Sequence, residues 1–140
     1  MHRTILIATA SLALSAAAIA QEERSLAPDS ARAYIVSPAD GATVTNPFKV
    51  IFGLTDMGVA PAGVDRLDTG HHHLLIDVDL PYLDEPIPAD DNHIHFGAGQ
   101  TEVLLELPAG EHTLQLLMGD LYHIPHDPPV MSETITVTVE

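Results

Sequence analysis

The chain reads as an all-β domain, two antiparallel sheets stacked as a sandwich, and three observations carry that reading. About seven short segments alternate apolar and polar side chains, the period of a half-buried strand. Turn signals rich in Gly, Pro, Asn and Asp separate them at intervals of about ten residues. Beyond the first twenty residues no stretch repeats at the helical period. Strands of this length and spacing predict an immunoglobulin-like β-sandwich, with no internal repeat and no second domain in 140 residues.

The first twenty residues stand apart. Met1-His2-Arg3 is a short basic start, Thr4 to Ala18 is apolar, and Ala18-Ile19-Ala20 offers a small-x-small cleavage site before Gln21. That is the outline of a signal peptide over residues 1–20, and the apolar run falls short of the roughly 20 residues of a membrane span. Cleavage after Ala20 predicts a periplasmic or secreted protein with no later membrane-spanning segment. Residues 21–32 (QEERSLAPDSAR) are polar and read as a flexible leader, leaving 33–140 as the sandwich.

The strands then follow in order. Ala33 to Val36 is closed by Ser37-Pro38, and Phe48 to Leu54 lies between the turn Asn46-Pro47 and a Gly-containing loop from Asp56 to Gly70 with no period. The next strand is led by His71-His72-His73, carries Leu74, Ile76 and Val78 on one face, and ends at Pro81. After a Pro- and Asp-rich loop come His93 to Phe96, Thr101 to Leu107 and His112 to Met118. The loop Asp120 to Val130 precedes a last strand, Thr134 to Val139, in which Thr alternates with Ile135, Val137 and Val139. The expected core is Ile35, Phe48, Val50, Phe52, Leu74, Ile76, Val78, Phe96, Val103, Leu105, Leu107, Leu114, Leu116, Ile135 and Val137.

Composition narrows function. Twenty acidic against five basic residues give a net charge of −15, and −16 once Arg3 is removed, which excludes nucleic acid and anionic membrane as partners. Such acidity suits a protein that meets cations, and equally one kept soluble by charge. There is no Cys, so the domain is held by its core or by a bound ion. The missing thiolate also excludes a blue-copper site.

The histidines carry the chemistry. Eight remain after cleavage, and six fall into three pairs: His71 and His73, His93 and His95, His123 and His126. Side chains at i and i+2 of a strand share a face roughly 7 Å apart, close enough to chelate one ion. If the ends of the two His-bearing strands are neighbours, cross-strand spacing of roughly 5 Å collects four imidazoles in one patch. The loop of His123 and His126 then closes over it; Asp77, Asp90, Asp91, Asp120 and Asp127 are candidate ligands or acceptors that fix imidazole tautomers, with Asp127 completing the ligand set. Neutral imidazole suits Cu or Zn, and Met57 or Met131 would add a thioether ligand for Cu(I), whereas Met118, also a thioether, is better explained as core packing.

Each such residue has a plainer reading. Clustered His on an exposed face is often solvated and idle, or hydrogen-bonds long loops. His112, alone at a strand start, reads as structural, and His72 shares parity with the core. Asp84, Glu85, Asp90 and Asp91 lack the spacing of a calcium loop. His93-x-His95, Glu102 and His112 form an imperfect cupin-like pattern, which requires a barrel. No nucleophile motif or phosphate loop is present, so catalysis is not expected.

Pro38-Ala39-Asp40-Gly41-Ala42-x-Val44-x-x-Pro47 resembles the opening of the CopC-type periplasmic copper-resistance proteins, over about twenty residues; the resemblance implies a β-sandwich. A longer set resembles an uncharacterised secreted bacterial family, domain of unknown function 4399: Gly53-Leu54, Met57 to Gly63, Thr69 to Asp77, Ile87 to Asp90, His93 to Gly97, Gly99 to Glu102 and His126 to Ser132. That resemblance implies export and no particular activity. The residues themselves favour a non-catalytic metal-binding sandwich with His71, His73, His93, His95, His123, His126 and Asp127 as ligands. The alternative is an envelope interaction or structural module without metal.

Overall fold

The computed structural model describes residues 23–140, so the expected signal peptide lies outside the described residues. Nine strands follow one another: β1 (Arg32–Ser37), β2 (Thr43–Val44), β3 (Phe48–Thr55), β4 (Gly58–Val59), β5 (Thr69–Ile76), β6 (His93–His95), β7 (Glu102–Leu105), β8 (Gly110–Gly119) and β9 (Ile135–Val139). They form a three-stranded sheet, β1-β3-β7, and a six-stranded sheet, β2-β9-β8-β5-β4, with β6 also on β5. The described residues contain no helix long and apolar enough to cross a membrane. The two sheets do not close into a barrel, so the architecture is the expected all-β sandwich, and the barrel that a cupin-like reading requires is absent.

The longer pairings are antiparallel, including β5 with β8 and β1 with β3. Two short ones are parallel, β2 with β9 and β4 with β5. β4 lies in the stretch expected as an aperiodic loop. Two residues are too few to show a period, and only the edge of β5 makes them a strand.

Alternation sets the inner layer. Phe48, Val50 and Phe52 of β3 meet Leu74 and Ile76 of β5, Leu114, Leu116 and Met118 of β8, and Val137 and Val139 of β9. Ile35, Val103, Leu107 and Ile135 are partly buried against them, as expected. Burying each of these large side chains contributes on the order of 2 kcal/mol.

β5 departs from the simple pattern because both of its faces are covered. Leu75, expected outward, is buried with Leu117 and Ile87 in a second, smaller apolar cluster, where Val78 also packs instead of in the main core. The loops from Pro81 to Asn92 and from Asp120 to Val130 supply that cover. Ile87 N–H donates to the His123 carbonyl at 2.8 Å, joining the two loops.

The described part of the expected flexible leader is tied down. Arg24 Nε donates to the Pro125 carbonyl at 3.0 Å, and Leu26 bridges in parallel to Asp127. Ala31 is fully buried. Polar composition signalled a leader; the donors and acceptors of loop 125–127 bind it.

Candidate metal centre

β5 is where the chemistry is placed. Alternation sends His72, Leu74 and Ile76 to the inner face and His71, His73 and Leu75 to the outer one. His72 packs its ring on Phe52 at 5.1 Å between centroids, and both of its nitrogens lack a partner among the described residues. Burial holds its pKa down at about 4, so it is a neutral core side chain. On the outer face, β6 pairs with β5 so that His95 stands opposite His73. On the other side of β5, His71 stands opposite Gly119 of β8.

Four imidazoles therefore converge. Ring centroids are separated by 4.8 Å for His71–His73, 4.9 Å for His71–His95, 5.1 Å for His73–His95, 5.0 Å for His71–His123 and 4.7 Å for His95–His123. His73 and His123 are further apart, at 6.1 Å. Ligand nitrogens of His71, His95 and His123 all lie within 4.8 Å of one another. Nitrogens around a tetrahedral ion sit about 3.3 Å apart, from bond lengths of about 2.0–2.1 Å.

The electrostatics suit a cation ligand set. Burial, then the neighbouring His123 and His95, lower the His71 pKa to about 4. Burial, then His71, lower that of His73 to about 3. His95 is lowered too, by burial and by His123. All three are neutral bases at neutral pH, the form that binds metal. Nε2 of His71 and Nδ1 of His73 are buried without a hydrogen-bond partner among the described residues, an arrangement that costs about 1–3 kcal/mol per atom unless something engages them. His71 and His73 are sealed, whereas His95 is exposed and His123 half-buried, so access is from the side of β6 and the 120–124 turn.

Backbone and glycine make the room. His123 adopts a left-handed φ of 69°, which costs a non-glycine residue roughly 1–2 kcal/mol. Its N–H donates to the Asp120 carbonyl at 2.9 Å, and buried Asp120 accepts Tyr122 N–H at 2.9 Å and Ile124 N–H at 3.0 Å through Oδ1. A Cβ at Gly119 would lie 2.7 Å from Cε1 of His73 and 3.3 Å from Cα of His123. A Cβ at Gly97 would overlap the His95 ring. Gly119 and Gly97 are the contributors that reading along the chain passed over. Asp120, expected as a ligand or as an acceptor that fixes an imidazole tautomer, instead engages the amides of its own turn through Oδ1.

The structure places the remaining expected ligands elsewhere. His93 lies on the face of His95 but two residues further on, where its Nδ1 pairs with Asp90 Oδ1 at 2.8 Å. His126 is buried and donates from Nε2 to the Thr69 carbonyl at 3.1 Å, pinning its loop to the start of β5. Asp127 is exposed and pairs with Arg24 at 3.6 Å. Three residues separate His126 from His123, and the turn between them sends the two rings to different neighbours.

His112 has the structural role expected of it. Both ring nitrogens have acceptors, Asp77 Oδ2 at 2.6 Å and the Pro108 carbonyl at 2.8 Å, and the Asp77 bond leads in raising its pKa. Glu102 pairs with Lys49 at 3.1 Å, so the cupin-like set is not assembled. Met118 is in the core, and the Met131 sulfur faces Gln115 Nε2 at 3.9 Å, so neither joins the cluster. Asp90 Oδ1 is engaged by Asn92 N–H and His93 N–H, each at 2.9 Å. The acidic loop forms no group of convergent ligand atoms among the described residues.

No curated protein and no solved structure matches the chain. One family model does, over residues 50–140, a span from β3 onward that holds all four convergent imidazoles. The chain belongs to the family described as Domain of unknown function (DUF4399).

Proposed function

We propose that this protein is an exported, non-catalytic metal-binding sandwich, a carrier, buffer or sensor for a copper or zinc ion held by His71, His73, His95 and His123. The observation that supports it is four converging imidazoles on two paired strands and one turn, two of them with buried nitrogens that have no hydrogen-bond partner among the described residues. An all-imidazole set without carboxylate favours borderline d-block ions over calcium or magnesium. Affinity falls as pH drops toward the lowered pKa values of the buried ligands, about 4 for His71 and about 3 for His73, because proton and metal compete for the same nitrogens.

The test is the metal content of untagged protein from its native periplasm, by elemental mass spectrometry, followed by melting with and without chelator. Near-stoichiometric copper or zinc, with a melting point that falls on chelation, is expected. Absence of metal, with melting indifferent to added Cu(II) or Zn(II), refutes the reading. Recovery from the periplasmic fraction of a chain beginning at Gln21 tests the export.

A second reading, a metal-free structural or interaction module, has its own support: His126, His112 and His93 each hydrogen-bond a loop or turn. It differs in outcome. Replacing His73 and His95 by Asn would then destabilise the ion-free protein, while metal would leave melting unchanged.

A further inference from the structure

We infer that Asp120 is the positioning residue of the imidazole cluster and that, through it, the segment Arg24 to Ala27 is part of the site, an inference that rests on the metal reading above. Of the four converging imidazoles, three stand on β5 and β6, where strand pairing sets their place. His123 alone stands on a turn, in a backbone conformation unfavourable to it. Its position therefore depends on what holds that turn.

One buried carboxylate holds it. Asp120 Oδ1 accepts the amides on either side of His123, those of Tyr122 and Ile124, while the Asp120 carbonyl accepts the amide of His123 itself. The Asp120 N–H donates to the Ile124 carbonyl at 2.9 Å, closing the turn. The other carboxylate oxygen accepts the Ser25 hydroxyl at 2.7 Å.

Ser25 is in turn held by the chain on both sides. Asp127 N–H donates to its carbonyl at 2.9 Å, and Ala27 N–H donates to the Asp127 carbonyl at 3.1 Å. Arg24 also donates to the carbonyl of His126. A segment some hundred residues away in sequence thus clamps the turn that presents the fourth ligand. Neither Ser25 nor Asp120 lies among the four converging rings; their action passes through the backbone of residues 120–124.

The experiment measures Zn(II) affinity by competition with a chelating dye, with circular dichroism confirming the fold of each variant. Asp120→Ala is expected to weaken binding roughly tenfold to hundredfold, the usual effect of removing a group that orients a ligand. Asp120→Asn restores it, because the amide oxygen accepts the same two N–H groups. Ser25→Ala leaves Oδ1 in place, weakens binding a few-fold, and stands in if Asp120→Ala does not fold.

In a His123→Ala background, Asp120→Ala should have no further effect. An equal loss in both backgrounds, or unchanged affinity in Asp120→Ala and Ser25→Ala, overturns the inference. If the native chain takes up neither Zn(II) nor Cu(II), the metal reading fails by itself. Asp120 is then judged in ion-free protein by nuclear Overhauser contacts between the His123 and His71 rings. Their loss in Asp120→Ala and retention in Asp120→Asn sustain the positioning role, and their persistence in Asp120→Ala overturns it.

Discussion

Lowering the pH of the ion-free protein from 7.5 to 5.5 should remove a large part of its stability. His71, His72 and His73 are buried and neutral, with pKa values near 4, 4 and 3, against 6.5 in the unfolded chain. A folded-state pKa below the unfolded value means that the unfolded chain takes up protons first as pH falls. Stability is therefore complete above about pH 6.5 and lost progressively below it. At pH 5.5, one unit below the unfolded value and well above the folded ones, each imidazole costs about 1.4 kcal/mol.

The three together remove about 4 kcal/mol, against the 5–15 kcal/mol typical of a whole domain. His112 works the other way. Its pKa is raised, so its contribution is fully present at low pH and lost as pH rises past its folded value. It limits the acid loss without reversing it. Urea unfolding at the two pH values reads the effect: with a slope of about 2 kcal/mol per molar, the midpoint should fall by about 2 M. An unchanged midpoint would mean that these imidazoles are solvated, and the buried neutral cluster would be wrong.

Other outcomes follow from particular contacts. Gly119→Ala forces a methyl against the His73 ring and the His123 backbone; it should destabilise by about 1–3 kcal/mol and weaken metal binding, as chemical denaturation and dye competition would report. His72→Phe replaces a partnerless core imidazole beside Phe52, so it should flatten the acid loss by about 1.4 kcal/mol at pH 5.5 and leave Zn(II) affinity unchanged. Asp77→Asn removes the partner that charges His112, and the His112 pKa followed by NMR should fall toward 6.5, with stability lost at pH 6 more than at pH 9. His126→Ala removes a loop tie to Thr69 and should lower the melting point, while altering Zn(II) affinity far less than His95→Ala.

Strand character is a local property, and it was legible along the chain. Alternation alone put Phe48, Val50, Phe52, Leu74, Ile76, Leu114, Leu116 and Val137 inside, and the same parity placed His72 inward with His71 and His73 opposite. A two-residue period needs no knowledge of neighbours. The pairing of His71 and His73 with His95 followed once β5 and β6 were taken as adjacent.

The rest depended on contacts between segments far apart in sequence. Whether the outer face of β5 meets water or protein is decided by the loops around Ile87 and His123, which fold over it; no periodicity within β5 encodes them. The separation of His123 from His126 and of Asp127 from the cluster is set by the left-handed turn at His123 and the hydrogen bonds of Asp120. The space that the rings occupy is set by Gly97 and Gly119, whose missing side chains matter only because a His stands against each. Strand parity could offer His71, His73 and His95 to one face; only long-range packing could seal that face, leave buried nitrogens of His71 and His73 unpaired, and bring the fourth ring, His123, in from a turn.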